Sequence, residues 1–228
     1  MRLHHHGLPS GSGLLLIHGL SSSHRVWRHN LAALGERHRL LIVELFARGG
    51  GARFRLSDQA ERLAESLEDE PEPVAVMGHS LGGLVAMELA ARRPDLVERL
   101  VLVDVPALPP ADPLPARLRG LARPATVSDA RSVGVVARTI LEANPLQLLA
   151  ATAASVRSNL ASAATAIPVS TLVVWGSDDA IVPVEIARRL VQLIPDARLE
   201  LVKGAGHQPQ WEAPDAFHAA VLPFLAES

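Results

Sequence analysis

Val74-Ala75-Val76-Met77-Gly78-His79-Ser80-Leu81-Gly82-Gly83-Leu84-Val85-Ala86-Met87-Glu88-Leu89-Ala90 changes character halfway along. It opens as a short apolar, β-branched run and closes as an apolar helical pattern. Between them lies Gly78-His79-Ser80-Leu81-Gly82, a sharp turn with a serine at its apex. Such a turn holds its central residue in a strained backbone conformation and needs small residues two before and two after it. Gly78 and Gly82 meet that need, and Gly83 adds room. The serine hydroxyl is then held out above the sheet edge. The next amide, Leu81, lies near a helix N-terminus, where it can stabilise a developing oxyanion. The pentapeptide fits the G-x-S-x-G nucleophile elbow, a motif that is specific only in this strand–turn–helix setting. Outside that setting the same residues are a Gly-rich turn with a solvent serine.

The chain has 228 residues, a length that suits one α/β domain with an insertion. Its 48% hydrophobic content supplies a sizeable core. A net charge of −2 gives no global reason to expect nucleic acid or an anionic membrane as partner. Without cysteine there is no disulfide, no thiol nucleophile and no thiolate metal site. The stretch Met1-Arg2-Leu3-His4-His5-His6-Gly7 lacks the apolar core of a signal peptide, and no run approaches a membrane span. A cytoplasmic location is expected. Lys203 is the only lysine, so single arginines carry little weight as evidence.

Consecutive residues on a strand face opposite ways, so His4, His5 and His6 cannot converge on one ion without a turn. They are expected on an edge strand or a frayed terminus, and no metal site is expected. Leu14-Leu15-Leu16-Ile17 reads as a buried strand running into His18-Gly19-Leu20. A loop at the carboxyl end of a central strand is where ligands bind in open α/β sheets. Gly19 lets the chain turn and leaves the Leu20 N–H available as a second oxyanion donor. His18 is expected to hold the turn by bonding loop backbone, and Trp27, at the start of a helix, to be core. Leu40-Leu41-Ile42-Val43 is the next strand. Phe46 to Gly51 after it is a Gly-rich turn without a phosphate-loop pattern.

The pattern predicts an amphipathic helix from Leu56 to Leu67, with Ser57 as its N-cap. Leu100 to Val105 reads as a buried strand with Asp104 at its carboxyl end. Prolines 106, 109, 110, 113 and 115 then mark a change of texture. Residues 106–167 read as a mostly helical lid inserted into a core made of residues 1–105 and 168–228. The insertion carries Arg117, Arg119, Arg123, Arg131, Arg138 and Arg157 against Asp112, Asp129 and Glu142. The sheet resumes at Val169 to Trp175, followed by Gly176-Ser177-Asp178-Asp179. A helix from Glu185 to Leu193 and a strand from Ala197 to Val202 lead into Gly204-Ala205-Gly206-His207. A terminal helix is expected from Ala216 to Leu225.

A serine, an acid and a histidine thus occur in the order Ser…Asp…His, each after a predicted strand, an order distinct from those of the two main protease types. Ser80 is a poor nucleophile until a base takes its proton. An imidazole suits that task because its unperturbed pKa is about 6.5. A carboxylate fixes the imidazole tautomer and stabilises the imidazolium that forms. Asp178 and Asp179 are adjacent and cannot both face His207, and Asp104 is a third candidate acid.

With these motifs in place the chain resembles the α/β-hydrolase superfamily. The resemblance rests on His18-Gly19 with Trp27, Gly78-His79-Ser80-Leu81-Gly82-Gly83, Trp175-Gly176-Ser177-Asp178-Asp179 with Val182-Pro183, and Gly206-His207 with Glu212 and Pro214. It spans nearly the whole chain except the lid and is nearest to small serine esterases: carboxylesterases, enol-lactone hydrolases and pimeloyl-carrier-protein methyl ester esterases. It implies an α/β fold with an eight-stranded, mostly parallel sheet, helices on both faces and a small helical lid. With little chain before Leu14, the first strands are expected to be reduced or missing. The family's spacing places the acid four residues after the tryptophan, at Asp179. The loop from Glu44 to Gly51 departs from the family's Asp-x-x-Gly-x-Gly-x-Ser pattern, which leaves the pocket wall on that side open. The implied activity is cleavage of carboxylic esters through an acyl-enzyme, with catalytic Ser80, Asp179 and His207 and an oxyanion hole from Leu20 and Leu81. The candidate pocket wall is His79, Val105, Ile181, Val182 and Gln208. No cofactor is implied. The substrate class is a small ester, or an acyl group linked to a carrier protein or coenzyme A. A thioesterase, lactonase or cofactor-free perhydrolase uses the same triad, and a non-catalytic receptor keeps the same fold.

Overall fold

Strands buried on both faces read as continuous apolar runs, whereas half-buried strands alternate. The central runs here are of the first kind, and the structure sorts their side chains strictly by parity. Leu15, Ile17, Val76, Leu100, Leu102, Val173 and Trp175 enter the core on one face of the sheet. Leu14, Leu16, Ala75, Met77, Val101, Val103, Leu172 and Val174 enter the core on the other. The structure is a computed structural model that describes residues 1–20, 22–46, 53–109 and 144–227.

Among the described residues the sheet has seven strands: β1 (Arg2–Gly7), β2 (Ser12–Ile17), β3 (His38–Glu44), β4 (Val74–His79), β5 (Val97–Val103), β6 (Thr171–Gly176) and β7 (Ala197–Val202). Their spatial order is β1-β3-β2-β4-β5-β6-β7. All pairings are parallel except β1 with β3. Among the described residues the sheet is thus one strand short of the eight that the resemblance implies, and the leading strand contains His4-His5-His6 at the edge. The order reverses between β2 and β4, which makes their carboxyl ends a switch point where open α/β sheets bind ligands.

Helices cover both faces. Helices α2 (Leu56–Leu67), α3 (Leu81–Arg92) and, later in the chain, Val184–Leu193 pack on the first core. Helix α1 (Leu31–Gly35), Trp27 and the terminal helix Pro214–Leu225 pack on the second. Trp27 closes a short 3₁₀ turn, His24–Trp27, and is fully buried. Helix α2 starts one residue before the expected cap. Arg55 stands at its N-cap without a side-chain bond, and the Ser57 hydroxyl bonds Asp58 instead. The terminal helix starts at Pro214 rather than Ala216, because proline is well suited to the first helical position.

Within residues 106–167 the described part holds α4 (Pro145–Arg157) and α5 (Ala161–Thr165). The Asn144 side chain caps α4 by accepting from the Leu146 N–H at 3.0 Å. The segment's two ends are tied together: Leu160 N–H donates to the Ala107 carbonyl at 2.8 Å, and the Ser158 hydroxyl donates to the Pro106 carbonyl at 2.7 Å. Ala151, Ala164 and Ile167 are buried in the first core. Arg117, Arg119, Arg123, Arg131, Arg138, Asp112, Asp129 and Glu142 lie outside the described residues, as do Ala47 to Gly51 of the glycine-rich loop.

Candidate active site

Ser80 sits between β4 and α3 with φ 51° and ψ −119°. A non-glycine residue there carries strain of about 1–3 kcal/mol, so the surroundings must hold it. They do so through backbone bonds. Ser80 N–H donates to the Val103 carbonyl at 2.8 Å, and its own carbonyl accepts from Gly83 N–H at 2.9 Å. The turn also needs a bare backbone at Gly82, where a Cβ would lie 2.3 Å from the Ile17 carbonyl oxygen. That close approach brings the first turn of α3 against the end of β2. The loop after β2 is just as near on the other side: a Cβ on Gly19 would lie 3.1 Å from the Ser80 Cβ. The turn after β2 and the start of α3 therefore meet at the serine. Leu81 is the first residue of α3, so its N–H has no carbonyl one turn earlier to bond.

His207 follows β7 and Asp179 follows β6, so both come from strand ends on the same edge as Ser80. The His207 Nε2 lies 3.0 Å from Ser80 Oγ, and its Nδ1 lies 2.8 Å from Asp179 Oδ2. The other carboxylate oxygen of Asp179 accepts from the Ile181 and Val182 N–H groups at 2.7 and 3.0 Å. Burial works against the Asp179 charge, but the His207 imidazole and these donors hold its carboxyl below the ordinary range. A neutral His207 so placed has its proton on Nδ1, facing the carboxylate, and presents a bare Nε2 to the serine hydroxyl. The Asp178 carboxylate accepts instead from the exposed Ser177 hydroxyl at 2.8 Å.

Two groups beside the triad matter here: Glu212, to which the sequence assigns no role, and Asp104, a candidate acid that the structure does not bond to His207. Glu212, in the short helix Pro209–Glu212, accepts from Gly206 N–H at 2.6 Å and Gln208 N–H at 3.1 Å, clamping the loop on both sides of His207. Its spacing, a glutamate just inside a helix that follows the histidine, is the only sequence signal for that role. Asp104, just past β5, is fully buried and lies close to both Asp179 and His207.

The candidate wall residues differ in their setting. His79 is buried, with its ring 5.1 Å from the His207 ring and its Nε2 2.7 Å from the His207 carbonyl. Val105 is fully buried and packs against Gly83. Val182 is buried, and its carbonyl accepts from Trp175 Nε1 at 2.9 Å. Gln208 is half-buried beside His207. Ile181 is 45% exposed, the one large apolar side chain of the set that faces solvent. His18 bonds the Gly19 carbonyl through Nδ1 at 2.8 Å and accepts from Leu45 N–H through Nε2 at 3.0 Å. Of the three consecutive histidines, His4 alone joins a cluster with potential metal ligands, beside His24 and Glu44. Its ring stacks on that of His24, whose Nδ1 bonds Glu44.

Burial pushes the His79 imidazole down to about 3, with the nearby His207 adding to the effect. Burial lowers His18 as well. A histidine held neutral in the folded state takes up its proton only on unfolding. Its contribution is therefore present above about pH 6.5 and is lost as pH falls through the window between the unfolded and folded values. Each such group gives a slope of about 1.4 kcal/mol per pH unit. Urea unfolding at pH 7, 6 and 5 should accordingly show falling stability, and His79→Gln should show a shallower decline. An identical decline in the variant would remove His79 from this account.

The sequence matches the alpha/beta hydrolase family over residues 14–220, and the chain belongs to that family. Among its relatives is a pimeloyl-[acyl-carrier protein] methyl ester esterase of Vibrio campbellii, 25% identical over 98% of each chain. Another is a putative carbamate hydrolase of Pseudomonas savastanoi, 27% identical over 93% of each chain. A solved hydrolase from Pseudomonas aeruginosa superposes with a TM-score of 0.79, with 26% identity, over 99% of this chain and 94% of that one. Among the described residues, no helix is long and apolar enough to cross a membrane.

Proposed function

We propose that the protein is a serine hydrolase that cleaves carboxylic esters through an acyl-enzyme. The observation that carries this reading is the unbroken chain from Ser80 through His207 to Asp179, at 3.0 and 2.8 Å. Ser80 Oγ attacks the ester carbonyl carbon while His207 Nε2 takes its proton. The carbonyl oxygen becomes an oxyanion facing the Leu20 and Leu81 amides. Collapse of this intermediate breaks the carbon–oxygen bond to the alcohol, which leaves with the proton from His207. Water then attacks the acyl-enzyme, again with His207 as base, and frees the acid and Ser80. Asp179 orients the imidazole throughout. In this reading residues 106–167 form a lid over the site.

The Vibrio campbellii relative is named for a methyl ester carried on an acyl-carrier protein. That name supports an acyl-carrier ester as a second candidate substrate here, with lid arginines holding the anionic carrier. A fluorophosphonate should label Ser80 stoichiometrically, and a competing ester should slow the labelling; absence of label would point to a non-catalytic member of the fold. Matched ester, thioester and lactone panels then separate the activities open to this triad. For the carrier reading, kcat/KM on a carrier- or coenzyme-A-linked ester should fall markedly with salt, because charge reaches only about 8 Å at physiological ionic strength. A neutral short ester should hardly respond. Arg117→Gln with Arg119→Gln and Arg123→Gln should reproduce the selective loss. Equal salt dependence for both substrates would leave a general carboxylesterase.

A further inference from the structure

Sheet order places β5 between β4 and β6, so the residue after β5 arrives amid the loops that carry Ser80 and Asp179. That residue is Asp104. Its φ of 49° makes it, with Ser80, one of two non-glycine residues at positive φ among the described residues. Strain of this kind persists only where surrounding contacts over-determine it, and it gathers at functional sites. Asp104 has no solvent exposure. Its Oδ1 accepts from Gly176 N–H at 3.1 Å. Its Oδ2, also buried, receives a hydrogen bond from no described residue. Ligating atoms of Asp104, Asp179 and His207 all lie within 4.8 Å of one another.

The count of donors and acceptors shows what is missing. Asp179 Oδ1 takes two N–H groups, and Asp179 Oδ2 takes one, from His207. A carboxylate oxygen has room for two, so Asp179 Oδ2 has one acceptor direction to spare. The Asp104 and Asp179 carboxylates bring an oxygen each within 4.8 Å of the other, and Asp104 Oδ2 has no donor of its own among the described residues. Two ionised carboxylates so close, away from water, repel each other, and a single proton between them removes the repulsion while giving both oxygens a partner. The charged and titratable described groups facing Asp104 are Asp179, Glu212 and His207. None of them is a lysine or arginine that could neutralise a second negative charge.

We propose that Asp104 is a positioning residue whose carboxyl keeps its proton and donates it in a hydrogen bond to Asp179, fixing the acid of the triad and tempering its pull on His207. Burial first, and then the Asp179 charge, push the Asp104 carboxyl well above the ordinary carboxylate range, in agreement with this arrangement. Asp179 moves the opposite way, as expected for the acid that keeps the charge. The pair thus divides into one neutral and one ionised member, set by environment.

The inference rests on the proposed triad only for its kinetic consequence, so the primary readout avoids activity. The His207 imidazole is followed by NMR across pH in wild type, Asp104→Asn and Asp104→Ala. Asparagine keeps a neutral group, an N–H donor for Asp179 and an acceptor for Gly176. Its titration midpoint should stay within about 0.3 pH unit of wild type. Were Asp104 ionised, asparagine would remove a negative charge beside the imidazole and lower the midpoint by about a unit, and that result would overturn the proposal. Alanine removes the donor, leaves Asp179 with more of its charge, and should raise the midpoint by roughly half a unit to one unit. A merely structural residue would leave the midpoint in place in both variants. If Asp104→Ala does not fold, the asparagine result alone decides between a neutral and an ionised Asp104. In kinetics, the Asn variant should retain kcat/KM within about threefold, and the Ala variant should lose kcat about 10–100-fold with KM little changed. Hydrolysis that survives Ser80→Ala would defeat the functional reading and leave the NMR result standing.

Discussion

Ser80→Ala is expected to remain folded and to lose roughly 10⁴- to 10⁶-fold in kcat, because residues that act as a unit fail together. The fold should survive because the elbow is held by its backbone. The Val103 carbonyl still accepts from the N–H of residue 80, and Gly83 N–H still finds its carbonyl. The one hydrogen bond lost is that between Oγ and His207 at 3.0 Å. Alanine tolerates the φ of 51° no worse than serine, since both carry a Cβ. Measuring kcat/KM on the best ester alongside the thermal midpoint checks both halves. Near-wild-type hydrolysis by a folded variant would sink the assignment of the nucleophile. A rate that survives at 10³–10⁴ over water would instead report the oxyanion donors acting alone.

Much of the fold was legible because its signals are local. Leu14 to Ile17, Val74 to Met77 and Leu172 to Trp175 are apolar on both faces, and only a covered parallel strand asks for that. The elbow motif then joined one such strand to a helix. The leading strand was harder to read. His4-His5-His6 shows neither alternation nor continuous hydrophobicity, and β1 owes its place to antiparallel pairing with β3 along the sheet edge. Helix ends shifted where one residue decides them, as at Pro214 and Arg55. The candidate site was legible as three strand-end loops in order, since the sheet brings those ends to one edge. The neighbour of an acid was not. Residues 104, 178 and 179 all follow apolar strands; the family's spacing singles out Asp179 as the acid, but it does not say that Asp104 turns inward beside it. Burial separates them: Asp178 bonds an exposed serine, whereas Asp104 and Asp179 share a site closed to water. A fully buried second acid has no signature in a sequence without the fold around it.

Asp179→Asn should reduce kcat/KM by about 10³–10⁴-fold while Asp178→Asn leaves it nearly unchanged. The reason lies in how the site would orient the new amide. The Ile181 and Val182 N–H groups, at 2.7 and 3.0 Å, require an acceptor at the Oδ1 position, so the asparagine carbonyl must occupy it. The NH₂ group then faces His207 Nδ1, where the carboxylate oxygen had been. A donor there selects the tautomer with its proton on Nε2, aimed at Ser80 Oγ. The imidazole then has no lone pair to take the serine proton, and the charge that would stabilise the imidazolium is gone as well. Nothing comparable follows at Asp178, whose carboxylate is bonded to the Ser177 hydroxyl. At Asp104 an amide replaces a group already read as neutral, so Asp104→Asn should also be mild. Comparing the three variants by kcat/KM, with His207 tautomers read from ring nitrogen shifts, tests the ordering. If Asp104→Asn proved the damaging change and Asp179→Asn the mild one, the acid would belong to β5 and both readings of this pair would fall together.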